Sequence, residues 1–161
     1  MGKNEAIGLL DKLGIEYEVI EHPPLFTCAD GKLHGVDFGE MDIKNLFIRN
    51  KNKSRYYMVI IGSQKRADLK CIEKILGESR MSFGSPDDMM ARLGVTPGAV
   101  SLMNLANVEK PDVTVVIDSC QLEHPRFACH PNVNTATVVF PMDGVYKILE
   151  HAGVEWRAEK L

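Results

Sequence analysis

Three short stretches of this 161-residue chain carry residue types that could act on a ligand. Gly94-Val-Thr-Pro97-Gly98-Ala99-Val100-Ser101 sets two glycines and a proline behind a helical pattern, a composition that bares backbone N–H groups and lets a ligand approach them closely. His130-Pro-Asn-Val-Asn134-Thr135 gathers an imidazole, two amides and a hydroxyl into six residues. Lys44-Asn45 opens the apolar run Leu46-Phe47-Ile48. Groups of this kind bind anions and stabilise developing oxyanions, but they supply no strong nucleophile. Each stretch also has a plain reading: a connector, a turn and a solvated strand end.

The usual catalytic equipment is missing. The sequence holds no G-x-S-x-G elbow, H-E-x-x-H pair, P-loop or G-x-G-x-x-G fingerprint, which limits the reaction classes open to it. Four cysteines, Cys28, Cys71, Cys120 and Cys129, form no C-x-x-C pair and read as reduced thiols. Cys120, His124, Cys129 and His130 invite a zinc reading. However, structural zinc sites bring ligands in as close pairs, and adjacent Cys129 and His130 would project to opposite faces of an extended segment. No metal or other cofactor is expected.

Charge is unevenly placed. Residues 1 to 43 carry three basic and nine acidic groups, residues 44 to 80 ten and three, and residues 81 to 161 six and ten, so the net −3 conceals a middle segment of +7. Lys44, Arg49, Lys51, Lys53, Lys65 and Arg66 are the candidates within it for contacting phosphates, although a solvated hairpin and helix would carry the same charges. No apolar run reaches the ~18 residues of a membrane span. The opening Met-Gly-Lys-Asn-Glu lacks the apolar core of a secretory signal, so a cytoplasmic protein is expected.

The elements that must position these residues are legible from periodicity. Asn4 to Leu13 and Asp68 to Leu76 have helical spacing, and Ser85-Pro86-Asp87-Asp88 is a capped helix start closed by Gly94. Ile15 to Ile20 alternates as a strand, and Asn45 to Arg49 with Arg55 to Ile61 form a hairpin around Asn50 to Ser54. Val113 to Asp118 and Thr135 to Phe140 are further strands, Val145 to Ala152 a last helix, and Val154 to Arg157 a terminal strand or tail; 25 to 42 reads as a loop with a short helix. Hairpins mixed with helix-separated strands predict one α+β domain over 1–161, with a mixed, barrel-like sheet surrounded by helices.

Taken together, Lys44-Asn45-Leu46-Phe47, Leu-Gly-Val-Thr-Pro-Gly-Ala-Val-Ser101 and His130-Pro-Asn-Val-Asn-Thr135 resemble, in order and spacing, the YbaK-type family. That family includes the editing domain of bacterial prolyl-tRNA synthetase and free-standing relatives, and the chain is most similar to the ProXp-ala (PrdX) branch. The resemblance implies hydrolysis of the ester on mischarged tRNA for proline, most of all alanyl-tRNA, with prolyl-tRNA synthetase as a partner and the chain acting as a monomer. It implies that Lys44 holds the phosphate of the 3′-terminal adenosine, with Asn45 in support. Pro97, Gly98, Ala99, Val100 and Ser101 would line the aminoacyl pocket and offer backbone donors to the ester carbonyl. His130 would shape the pocket floor, steadied by Asn134 and Thr135. One departure bears on the amino acid removed: Leu102 stands where the family pattern has proline. It leaves two alternatives open, a deacylase for cysteine or serine and a non-catalytic tRNA-binding module.

Overall fold

The computed structural model describes residues 2–161. Helix α1 (Lys3–Lys12) buries Ala6, Leu9 and Leu10. Strand β1 (Glu18–Glu21) follows, shorter at its start than the alternation predicts. The segment expected to be mostly loop contains α2 (Cys28–Leu33), started by Thr27, whose hydroxyl accepts from Asp30 N, and a 3-10 turn at Gly39–Met41.

The hairpin β2 (Ile43–Arg49) and β3 (Tyr56–Gly62) forms as expected; Asn50 Oδ1 closes its loop by accepting from Ser54 N and Arg55 N. Helix α3 (Leu69–Leu76) is capped by Asp68. A two-residue strand, β4 (Ser82–Phe83), precedes α4 (Pro86–Leu93), which starts at the Ser85 and Asp88 capping box. After a 3-10 turn (Leu102–Ala106) come β5 (Thr114–Asp118), α5 (Ser119–Leu122), β6 (Arg126–Cys129), β7 (Ala136–Pro141), α6 (Asp143–Ala152) and β8 (Trp156–Glu159).

Eight strands divide into two open sheets among the described residues. Five stand in the order β4-β2-β3-β5-β8, with β3, β5 and β8 parallel and the hairpin side antiparallel; three form the antiparallel sheet β1-β7-β6. The architecture is therefore α+β with mixed sheets surrounded by helices, and the sheets pack on each other without closing into a barrel.

Central strand β3 shows why. Every residue of Tyr56–Gly62 is buried, and the two-residue period sends Met58 and Ile60 to one face and Tyr57, Val59 and Ile61 to the other. The first face packs with Phe127, Val138 and Phe140 of the three-stranded sheet and with α1 and α6. The second packs beneath α3 through Ile72, with Met81. No helix among the described residues is long and apolar enough to cross a membrane.

Candidate functional site

Because β4 pairs only with Ile48 and Arg49, the first half of β2 is left uncovered along that edge. Ile43 to Phe47 consequently lie in the wall of a cavity of about 550 Å³, a volume in the range of small-ligand sites. Lys44 and Asn45 line it together with Phe26, Asp42, Ser63, Phe83, Pro97, Gly98, Val100, Cys129, His130 and Thr137. Lys44 is half-buried and makes no ion pair among the described residues. Asn45 Oδ1 and Ser63 Oγ are buried without a hydrogen-bond partner among the described residues, the condition of groups that a ligand would satisfy.

The loop from Pro97 to Ser101 is shaped by Gly98, whose φ of +91° an L side chain rarely adopts. A Cβ there would sit 3.5 Å from Phe26 Cδ1, so the Phe26 ring rests on the bare glycine. Ala99 N donates to Thr96 O at 3.2 Å and Ser101 N to Asn104 Oδ1 at 2.6 Å. The N–H groups of Gly98 and Val100 have no acceptor among the described residues, and both residues line the cavity. Thus Gly98 and Val100, rather than Ala99 or Ser101, hold the available donors of this loop. Ala99 and Ser101 are buried behind the cavity wall.

A polar network that sequence reasoning missed ties this loop to the His130 segment. Ser101 Oγ donates to His130 O at 2.6 Å, and Asn104 Nδ2 donates to Ala99 O at 3.1 Å and to Asn132 Oδ1 at 2.8 Å. Asn132 Nδ2 in turn donates to Asn107 Oδ1 at 2.8 Å, and Asn107 Nδ2 to Leu93 O at the end of α4. Ser101, Asn104 and Asn132 are buried, so the network is shielded from competing water. Ser101 and Asn104 have capping-box spacing, the signal in the sequence that could have revealed it. Leu102, the departure from the family pattern, is fully buried in the core and does not line the cavity.

The imidazoles face each other across this region. His130 Nδ1 donates to Ala136 O at 3.0 Å, leaving Nε2 as the lone-pair nitrogen of a neutral ring. Burial holds the His130 pKa below its ordinary value, the Ala136 bond opposes that, and nearby His22 adds to the depression. The two ring centroids are 6.0 Å apart. His22 is fixed by Nδ1 donating to Pro23 O and by Nε2 against Thr137 Oγ1, each at 2.9 Å. Burial pushes the Cys129 thiol far up, so it is no nucleophile. Burial likewise raises the Asp42 carboxyl above its usual range, with Asp37 beside it contributing in the same direction. Among the described residues no three His, Cys, Asp or Glu side chains are placed to hold a metal.

Asn134 and Thr135 act through their backbones: Asn134 O accepts from Leu25 N at 2.9 Å and Thr135 O from His22 N at 3.0 Å. These bonds bind the entry to α2 onto the His130 segment, and neither residue lines the cavity.

Comparison with known proteins places this geometry. The model of the aminoacyl-tRNA editing domain matches residues 22–148, which include both loops, the hairpin and the whole cavity wall. The chain belongs to the aminoacyl-tRNA editing domain family. Editing domains hydrolyse the ester between an amino acid and its tRNA, and the chain is accordingly an aminoacyl-tRNA deacylase. It is 33% identical over 159 residues to the prolyl-tRNA editing protein ProX of Acetoanaerobium sticklandii, covering 99% of this chain and 97% of that one. It is 32% identical over 133 residues to the prolyl-tRNA synthetase associated domain-containing protein 1 of Mus musculus, 80% and 78% of the two chains. Solved structures share the fold at lower identity. A hypothetical protein, APE2540, superposes with a TM-score of 0.72 at 20% identity over 98% of both chains. A candidate trans-editing enzyme for prolyl tRNA synthetase gives 0.71 at 15% identity, over 98% of this chain and 96% of that one.

For a member of this family, the placement of the basic residues decides which can meet tRNA. Lys44, Lys65 and Arg66 lie at one end of the hairpin, and Arg49, Lys51 and Lys53 at the other, roughly 20 Å away at a strand rise of about 3.4 Å per residue. Lys51, Lys53 and Arg66 are exposed and make no ion pair among the described residues. Lys65 is committed elsewhere: its Nζ lies 2.5 Å from Oδ2 of fully buried Asp118 and donates to Leu161 O at 2.9 Å. Arg49 Nε is 3.8 Å from Asp88, and Nη1 donates to Asn50 O. These six candidate cations therefore fall at two separate ends of the hairpin, with one lysine serving the protein interior.

Proposed function

We propose that this deacylase works in trans on mischarged tRNA for proline and that alanine is the amino acid it removes. Support for the tRNA comes from the 33% identity, along almost the whole chain, to a protein named for prolyl-tRNA editing. The observation that carries the mechanism is the pair of unoccupied N–H donors, Gly98 and Val100, in the same cavity as the unpaired Lys44.

In this reading the Lys44 ammonium holds the phosphate of the terminal adenosine, and Asn45 offers its orphaned Oδ1 to a donor on the same nucleotide. Water adds to the ester carbonyl, and the negative charge that develops on the carbonyl oxygen is met by the Gly98 and Val100 N–H groups. The tetrahedral intermediate collapses with the ribose oxygen leaving as a hydroxyl, the neighbouring ribose hydroxyl passing the proton. An aminoacyl ester held in this way needs little beyond positioning. Neutral His130 bounds the pocket, and the Ser101 to Asn132 network keeps it in register with the loop.

Alanine is favoured by a size argument. A pocket built for proline cannot strongly exclude a smaller side chain, so discrimination requires a second site that admits alanine and rejects proline. Leu102 turns into the core instead of the cavity, so the departure from the family pattern does not enlarge the site. The synthetase that attaches proline supplies the substrate. The test is a time course of alanine release from alanyl-tRNA for proline: purified protein should accelerate it well above the spontaneous rate, and release at the spontaneous rate would refute the reading.

A further inference from the structure

Phe83 is an anomaly of placement. It is 56% exposed and it lines the cavity, yet its backbone is held rigidly on both sides. Before it, Met81 is anchored in the core and its N–H donates to Glu73 Oε1 at 2.7 Å. After it, Gly84 N donates to Phe47 O at 2.8 Å, and a Cβ on Gly84 would lie 2.4 Å from the Phe47 ring, so the chain passes flush against β2. The Ser85 and Asp88 capping box then fixes the next turn. A large apolar ring is thus presented to solvent by a backbone that cannot fold it away. A scattered exposed phenylalanine would need no explanation, but one fixed at the rim of a ligand cavity does.

Its position along β2 indicates the ligand. Phe83 pairs with Ile48, four residues from Lys44 and just short of the loop that carries Lys51 and Lys53. An aromatic face between two sets of unpaired cations is the arrangement by which proteins hold single-stranded nucleic acid: the cations track the phosphates and a base stacks on the ring. We infer that Phe83 is the stacking platform for an unpaired base of the tRNA 3′ end, which leaves the cavity along the uncovered first half of β2 and crosses β4 at Phe83 toward the hairpin loop. This rests on the reading that the cavity takes the aminoacyl end of tRNA.

The test uses the full chain and uncharged tRNA for proline, so that no ester chemistry enters the readout. Phe83→Ala and Phe83→Leu should each weaken binding roughly tenfold, since leucine is apolar but has no π-face. Phe83→Trp, made in a Trp156→Phe background so that it is the one tryptophan, should bind like the parent and lose emission as tRNA is added. A tRNA trimmed of its unpaired 3′ nucleotides should cause no quenching. Unaltered affinity in Phe83→Leu, unchanged emission at saturation, or equal quenching by the trimmed tRNA would each overturn the platform. Quenching without any alanine release would uphold the platform and sink the proposed activity; alanine release with a fully competent Phe83→Leu variant would do the reverse.

Discussion

Ser101 and the carbonyl of His130 are joined by a 2.6 Å hydrogen bond, which fastens the loop holding the donors to the segment that bounds the pocket. Ser101→Ala leaves that buried carbonyl without its donor and should cost about 1–3 kcal/mol in denaturant unfolding. Asn104→Ala removes the acceptor for Ser101 N and the donors to Ala99 and Asn132, and should cost more. In both variants deacylation should fall further than the loss of folded protein explains, because the geometry of the Gly98 and Val100 donors is relaxed.

Lys44 has no ion pair to lose among the described residues, so Lys44→Ala should leave the unfolding free energy within about 0.5 kcal/mol of the parent. Its effect belongs to the substrate. Loss of a charged contact to phosphate should lower kcat/KM by roughly 10- to 100-fold in steady-state deacylation.

Lys65 behaves in the opposite sense. Lys65→Met strands the buried Asp118 carboxylate and should destabilise the fold by about 3–5 kcal/mol, measured by denaturant unfolding, with tRNA affinity per folded molecule unchanged. Replacing exposed Lys51 and Lys53 together by alanine should leave stability alone and reduce the slope of log affinity against log salt by up to about two, one for each phosphate contact.

Burial lowers the His130 pKa, and the sign of the pH effect follows. Between the ordinary value of 6.5 and the lower folded value, the unfolded chain binds a proton that the native ring refuses. Stability present above pH 6.5 should therefore decline as pH falls through that window and level off below the folded value. His130→Asn should flatten this part of the stability profile in chemical denaturation at stepped pH. If the neutral ring that bounds the proposed pocket is what the substrate meets, deacylation should hold as pH falls to 6.5 and decline at a more acidic pH.

What the sequence disclosed, and what it withheld, divides along local and nonlocal causes. The hairpin and α4 were legible because strand alternation and the Ser85-Pro86 start are local signals. Strands β4 and β6 were not, since two and four residues carry no period and exist through pairing with β2 and β7. In the site, Lys44, Asn45, Pro97, Gly98, Val100 and His130 do share one cavity. The pairing of Lys65 was not legible because its partner Asp118 lies 53 residues away. Phe26, Ser63 and Phe83 carry no motif; exposure or an orphaned hydroxyl marks them only once the chain is folded.

The account is tested most directly by presenting alanyl-, cysteinyl-, seryl- and prolyl-tRNA, all on tRNA for proline, to the purified protein and measuring each ester's initial rate of hydrolysis. The account predicts that alanyl-tRNA is cleaved fastest and that prolyl-tRNA survives at close to its spontaneous rate. Prolyl-tRNA cleaved as fast as alanyl-tRNA, or no ester cleaved above its spontaneous rate, would contradict it.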